Sequence, residues 1–587
     1  MTLSFLLSFA FFFSIFFFVN AKISCACMTV LVGKKASSTG EILIGHNEDA
    51  PGRFTMQTHL VKKQRRHPGT KIKFEHELSD LSLSTTRTNL FWSEAKTFSN
   101  DDSDSAFCDF YVNGHGVVIC SNNCADSKED NPELLNGGIG YGLRRLVAES
   151  ATNAKGALDL ACKLVDKFGY ASSGRSYAFA DNEEIYVMQI VHGKHYAIQR
   201  VPDDEVAVIP NHYTIHEPDT KAHGYNELVN YALKRGWYKL EDGAFDFQRA
   251  YQSEDTFGLE KNTHRHVRAF EILLEMDLSG LLNQKWETLP FSIKPAHKVS
   301  IETLKKILRT HFEGTLSYAH DKDNPHFSKP LTICNCDTLE STIAQIRHNP
   351  YRIILRRALG RPCFSPYIVW YSGINKIPEG YEEINSEAAL ANHFNTRPSD
   401  MDYRNNAWYR AMEVQAACDI LYHEKGEYAR SKIAEFESRE EKKLSTLDSQ
   451  IELCLHNEPK IARAMMDGAV LSWSNEAEEC MNDIKRELGV ITAEALDHVR
   501  LGESFHIRIP DCDFRITECI CGPSYKNQSC WSKCKSIKDS AKYTELEFDL
   551  GSWFDDAVPC FTDLYMKIVD ENGNVHAGTV RIQVQKI

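Results

Sequence analysis

The chain has 587 residues, a formal net charge of −14 at pH 7, and 25% charged and 42% hydrophobic residues. That length can bury a full-sized core and is enough for about two to four domains, while the ordinary composition excludes a disordered or fibrous protein. The acidic balance, without any long Lys/Arg block, excludes nucleic acid as the main partner, since phosphate binding requires a basic face.

In chain order, residues 1–21 are almost wholly apolar and end in Val19-Asn20-Ala21, a cleavage-site pattern, so they read as a signal peptide. A retained anchor is the alternative, because the run is nearly long enough to span a bilayer and has no basic residue ahead of it. No other segment approaches that length, so no stable membrane association is expected once the leader is gone. Eighteen cysteines and the single sequon Asn527-Gln528-Ser529 fit an oxidising compartment. The expected location is the secretory pathway, either secreted or in the lumen of a lysosome or vacuole.

Residues 27–50 read as a hairpin of two apolar strands, 28–33 and 41–47, around the turn-rich stretch 36–40. Residues 107–123 repeat the pattern, with Asn113-Gly114 as the turn signal. A third strand-rich block covers 177–215, and apolar residues at helical spacing occupy 138–168 and 300–311. Strand groups alternating with helix groups imply layers of sheet and helix. Long amphipathic helices are expected over 401–501, with their charges on a solvated face. Residues 502–587 turn to short alternating strands with a hairpin signal at Glu571-Asn572-Gly573, as in a separate small β-domain. Its cysteines, Cys512, Cys519, Cys521, Cys530, Cys534 and Cys560, read as structural disulfides of unassigned pairing in preference to a zinc site.

A cysteine becomes a useful nucleophile when a base takes its proton, and one such base is the free α-amine of the same residue. Cleavage ahead of Cys27 creates that arrangement. Ser24-Cys25-Ala26 also satisfies the small-x-small rule, so signal peptidase itself can expose Cys27, or residues 22–26 form a short propeptide removed later. Without that context, Cys25 and Cys27 read as disulfide partners or buried thiols.

The run Cys27-Met28-Thr29-Val30-Leu31-Val32-Gly33, followed by Asn47-Glu48-Asp49, resembles the start of the C69 family of dipeptidases. These are N-terminal-nucleophile (Ntn) hydrolases related to secernins, penicillin V acylase and bile salt hydrolase. The resemblance continues through Arg200-Val201-Pro202-Asp203-Asp204, Ile209-Pro210-Asn211, His311-Phe312-Glu313-Gly314-Thr315 and Tyr371-Ser372-Gly373-Ile374-Asn375. It implies an α+β fold with a four-layer αββα Ntn core over 27–400, extended by the helical region 401–501 and by the β-domain 502–587, whose role the resemblance does not supply.

Residue by residue, the resemblance makes Cys27 the nucleophile and Asp49 the carboxylate that contacts its amine. His46 stands where relatives carry Arg or Lys. A histidine there either titrates near neutrality or marks the position as dispensable. Asn122 and Asn123 lie near an oxyanion-binding amide, Asn211 has a similar expected role, and Arg265 resembles an arginine that completes the site in the acylase branch. Outside the family context, the asparagines read as turn or cap residues and Arg265 as a surface charge.

The implied function is cysteine-dependent hydrolysis of dipeptides or short peptides, with hydrolysis of other N-acyl amides or a noncatalytic, secernin-like secretory role as alternatives. No metal or organic cofactor is implied. Cys334-x-Cys336 and Cys519-x-Cys521 lack the spacing of a zinc knuckle, and His264-Arg265-His266 lacks a carboxylate at metalloprotease spacing. The glycine-rich 137–142 does not follow a strand, which excludes a dinucleotide loop. A homo-oligomer is compatible with the sequence, which does not determine oligomeric state.

Overall fold

The computed structural model describes residues 27–585 apart from 51–53, 74–79, 83, 98–106, 125, 141, 283–288, 316–323, 383–404, 497–498, 501–503, 511–512, 523–530, 541 and 550–559. The expected leader, propeptide, Cys25 and sequon lie outside the described residues. No helix among the described residues is long and apolar enough to cross a membrane.

Two seven-stranded sheets form the centre. The first runs, in spatial order, Ser292–Ile293, Val206–Ile209, Met28–Val32, Ile42–Asp49, Thr338–Ile346, Ile354–Leu359 and Ile368–Tyr371. The second runs Tyr196–Arg200, Ile185–Gly193, Tyr170–Ala180, Val118–Asn123, Phe107–Asn113, Leu90–Thr97 and Phe54–Val61.

Side-chain alternation assigns the faces. Leu31, Ile42 and Ile44 point into the space between the sheets, where they join one cluster with Val112, Val118, Ala178 and Val187. Their neighbours Met28, Val30, Val32 and Leu43 point the other way, onto Phe270, Leu273, Leu304 and Leu308 of helices Glu260–Leu274 and Ile301–Arg309. On the second sheet, Trp92, Ile119, Tyr177 and Met188 turn outward onto Leu143, Val147, Leu158 and Val165 of helices Gly142–Ser150 and Ala154–Phe168. The order is helix, sheet, sheet, helix: an α+β fold with an αββα core.

The expected hairpins form, with Met28 opposite Asn47 and Val118 opposite Val112. Within this core two expectations require revision. The strand block 177–215 divides between the sheets: after the turn at Pro202-Asp203, Val206–Ile209 crosses to the first sheet and pairs with Met28–Val32. The helical pattern over 138–168 is two helices, the second capped by the side chain of Asn153.

Helices Ala407–Ile420, Tyr422–Asn457 and Pro459–Leu488 are not set apart from the core. Trp408, Met412, Ile433, Met466 and Trp473 share the cluster of the inter-sheet space, and the helices cover the edge strand Ile368–Tyr371. Arg356 of strand Ile354–Leu359 pairs with Glu441 at 2.5 Å and Arg352, in the turn just before it, with Asp448 at 2.9 Å, joining this part of the sheet to helix Tyr422–Asn457. Strand structure resumes at Ile491, inside the stretch expected to be helical. The strand Ile491–Ala495 pairs in parallel with Val575–Gln585 in a third sheet. That sheet has its own core of Phe505, Ile507, Phe548, Leu564, Ile568 and Ile582. Cys519, Cys521 and Cys534 are thiols there, while Cys512, Cys530 and the side chain of Cys560 lie outside what is described.

Candidate active site

Cys27 immediately precedes Met28–Val32, a strand hydrogen-bonded on both sides and therefore held rigidly. The hairpin register, Met28 opposite Asn47 and Thr29 opposite His46, places Cys27 across from Glu48. By alternation Cys27, Thr29, His46 and Glu48 face the second sheet. The Cys27 thiol is buried and lies 3.6 Å from Glu48 Oε1 and 3.5 Å from the main-chain oxygen of Asp49.

Burial determines the protonation of this group. It pushes the Glu48 carboxyl up to about 8, against the pull of Arg144 and Arg175. It pushes His46 down to about 3, with Glu340 opposing and the same two arginines assisting. At neutral pH, Glu48 is therefore protonated and His46 neutral. The hydrogen bonds then run in one direction. Cys27 Sγ–H donates to Glu48 Oε1, and Glu48 Oε2–H donates to His46 Nε2 at 3.2 Å. His46 Nδ1–H donates to Thr29 Oγ1 at 2.8 Å, Thr29 Oγ1–H to Asn122 Oδ1 at 2.6 Å, and Asn122 Nδ2–H to the Ile209 carbonyl at 2.8 Å. Every member is satisfied, as a buried polar chain requires.

On the other side of Cys27, helix Glu260–Leu274 presents Arg265, which is fully buried. Its Nη1 donates to the Cys27 carbonyl at 3.0 Å, its Nη2 to Asn211 Oδ1 at 2.8 Å and Asn262 Oδ1 at 3.1 Å, and its Nε to the Lys261 carbonyl at 2.6 Å. Burial lowers the guanidinium to about 10, opposed by the charges of Asp49 and Cys27, and it stays cationic at neutral pH. Asn211 Nδ2 donates to the Asn123 carbonyl at 2.7 Å; the amide has a second hydrogen to offer. Asp49 is buried and raised to about 7 by desolvation, with Arg265, the Asn335 amide and the Thr338 hydroxyl drawing it down. Its Oδ2 accepts from Asn335 Nδ2 at 2.7 Å, whereas Oδ1 has no hydrogen-bond partner among the described residues.

Of the sequence-predicted residues, Cys27, Asp49, Asn211 and Arg265 come together. His46 is two hydrogen bonds from the thiol but does not titrate near neutrality, because it is desolvated. Asn122 is built into the interior chain, and Asn123 meets the group through its main-chain oxygen. Sequence reasoning missed Glu48, Asn262 and Asn335. Glu48 follows from the hairpin register, and Asn262 from its place one helical turn before Arg265. Asn335 carries no local signal.

A sequence model of peptidase family C69 matches residues 26–414. The chain belongs to peptidase family C69. It is 25% identical over 376 residues to a probable dipeptidase of Salmonella dublin, covering 60% of this chain and 83% of that protein. It is 26% identical over 442 residues to a probable dipeptidase A of Streptococcus pyogenes serotype M3, covering 66% and 90%. One solved structure that aligns with it, a mutant conjugated bile acid hydrolase from Clostridium perfringens, has a TM-score of 0.31 at 11% identity, over 61% of this chain and 99% of that one. As a C69 member, the chain is a hydrolase.

Proposed function

We propose that this C69 hydrolase is a cysteine-type dipeptidase whose nucleophile, Cys27, becomes residue one when the leader is removed in the secretory pathway. The observation that carries the reading is that Arg265 binds the Cys27 carbonyl while its guanidinium is also drawn by the buried carboxyl of Asp49, the residue whose main-chain oxygen lies 3.5 Å from the Cys27 sulfur. In this reading the new α-amine at Cys27, which keeps N–H donors while its lone pair acts as base, supplies a donor for Asp49 Oδ1, which has no hydrogen-bond partner among the described residues. Dipeptides as the substrate class come from the names of the bacterial relatives.

In this reading the α-amine, with an ordinary pKa of about 7.7 to 8, takes the thiol proton, and the sulfur attacks the substrate carbonyl. The remaining hydrogen of Asn211 Nδ2 stabilises the oxyanion, an interaction commonly worth about 3 kcal/mol of barrier. Collapse breaks the C–N bond, the ammonium returns its proton to the leaving amine, and water hydrolyses the thioester to acid and thiol. Arg265 holds both the nucleophile's carbonyl and Asn211 in place.

Mass spectrometry of the purified active protein tests this directly. The expected N-terminus is Cys27. Cys27→Ser and Cys27→Ala should abolish dipeptide turnover in a folded protein, while Cys25→Ala leaves mature activity nearly intact. An active chain retaining any residue ahead of Cys27 refutes the mechanism, and faster turnover of N-acyl amino acids than of dipeptides refutes the substrate class.

A further inference from the structure

Away from Cys27, four side chains from separate segments converge in the interior. His311 follows helix Ile301–Arg309, His326 lies in the single turn Pro325–Phe327, Cys334 precedes strand Thr338–Ile346, and Cys363 follows strand Ile354–Leu359. Their relative exposures are 2%, 0%, 0% and 4%. One ligand atom from each lies within 4.8 Å of all the others.

Both rings are oriented from behind. His311 Nδ1 is 2.8 Å from Glu313 Oε1, and His326 Nδ1 is 2.6 Å from Asp419 Oδ1 on helix Ala407–Ile420. Each carboxylate accepts the ring's Nδ1–H, which leaves Nε2 as a bare acceptor in the neutral ring. The two Nε2 atoms nevertheless face each other at 2.9 Å. Cys363 Sγ lies 3.0 Å and Cys334 Sγ 3.7 Å from His326 Nε2. With both rings neutral the two lone pairs face each other and repel, a clash that a proton on one ring relieves and that a metal ion binding both nitrogens relieves as well.

We propose that His311, His326, Cys334 and Cys363 form a structural zinc site. Tetrahedral zinc, with bonds of about 2.0 Å to nitrogen and about 2.3 Å to sulfur, sets its ligand atoms about 3.3–3.8 Å apart. The pocket needs only small side-chain movements to reach that. Thiolate with imidazole selects zinc over magnesium or calcium, and four protein ligands leave no position for a catalytic water. Two thiolates and Zn2+ are together neutral, so the ion and its ligands suit a site closed off by Phe364 and Tyr422, whose rings pack 5.4 and 5.8 Å from that of His326. The carboxylates behind the histidines are the outer partners that fix zinc-binding imidazoles. Four ligands spread over 311–363 share no knuckle spacing, and Cys336, the other half of the Cys-x-Cys pair, is not among them. The ion would also anchor the loop carrying Asn335, the residue after Cys334, whose amide holds Asp49.

The test uses the full chain purified without chelator, analysed for metal by mass spectrometry before and after incubation with Zn2+ and dialysis. One zinc per chain is expected. Replacement by Co2+ should give ligand-field and thiolate charge-transfer absorption that Cys363→Ser loses and Cys336→Ser keeps. Wild-type protein that holds no stoichiometric zinc after reconstitution overturns the proposal, as does a Cys334–Cys363 disulfide in the native protein. These two readings need no variant, so they decide the matter even if Cys363→Ser fails to fold.

Discussion

Glu48→Gln isolates the cost of keeping a neutral carboxyl beside the thiol. Glutamine matches protonated Glu48 in shape: its Nε2 can donate to His46 Nε2 and its Oε1 can accept from Cys27, preserving the hydrogen-bonded chain. In the folded protein Glu48 is raised from 4.5 to about 8 by burial, whereas the unfolded chain ionises near its ordinary value. Below about pH 4.5 both states are protonated and the group contributes nothing. Between there and about pH 8 the folded state binds more protons than the unfolded one, so stability falls as pH rises, by about 1.4 kcal/mol per unit. At pH 7 the accumulated cost is roughly 3 kcal/mol, and it levels off at roughly 5 kcal/mol above pH 8. Glutamine has no such dependence. Urea unfolding from pH 4.5 to 8 should therefore show the two proteins alike at the acid end and the glutamine variant more stable by about 2–3 kcal/mol at pH 7. The contribution of Asp49 is common to both and cancels. A stability difference that is flat with pH, or a variant less stable at pH 7, refutes the protonation state assigned to Glu48.

Arg265→Lys replaces a planar fork by a point charge that cannot serve four acceptors. Bare Cys27, Asn211 and Asn262 oxygens should cost about 2–4 kcal/mol of stability. Dipeptide turnover should fall by about 100-fold or more through the loss of Asn211; unchanged kcat/KM would remove Arg265 from the site. Gly33→Ala drives a Cβ into the main-chain oxygens of Pro202 and Asp203, well inside van der Waals contact. These backbone atoms cannot swing away, so overpacking of about 1–3 kcal/mol and a lower Tm are expected. An unaltered melting curve would contradict the tight contact between this turn and the crossover at Pro202.

What could be read in advance follows from the range of the interactions involved. The hairpin at 28–49 was legible because its alternation and its turn are local. The grouping of Cys27, Asp49, Asn211 and Arg265 was legible through motif resemblance, which substitutes for contacts spanning more than two hundred residues. Glu48 escaped notice because Asp49 beside it already had a role; only the register shows which of the two lies across from the sulfur. Asn335 reaches Asp49 from a loop with no periodic pattern, and no spacing rule joins His311 to Cys363. The start of the third sheet at Ile491 was hidden for the same reason, since its partner Val575–Gln585 comes only after the intervening strands.

That parallel pairing bears on how the molecule is made. Val575–Gln585 sits in the middle of the third sheet, between Cys560–Asp570 and Ile491–Ala495, yet the ribosome delivers it after every other strand of that sheet. Until it emerges, the strands already synthesised form two half-sheets with open edges, the kind of surface that recruits other nascent chains. A nonsense codon just ahead of Val575 would leave the hydrolase domain's coding region intact and still yield a product prone to aggregate.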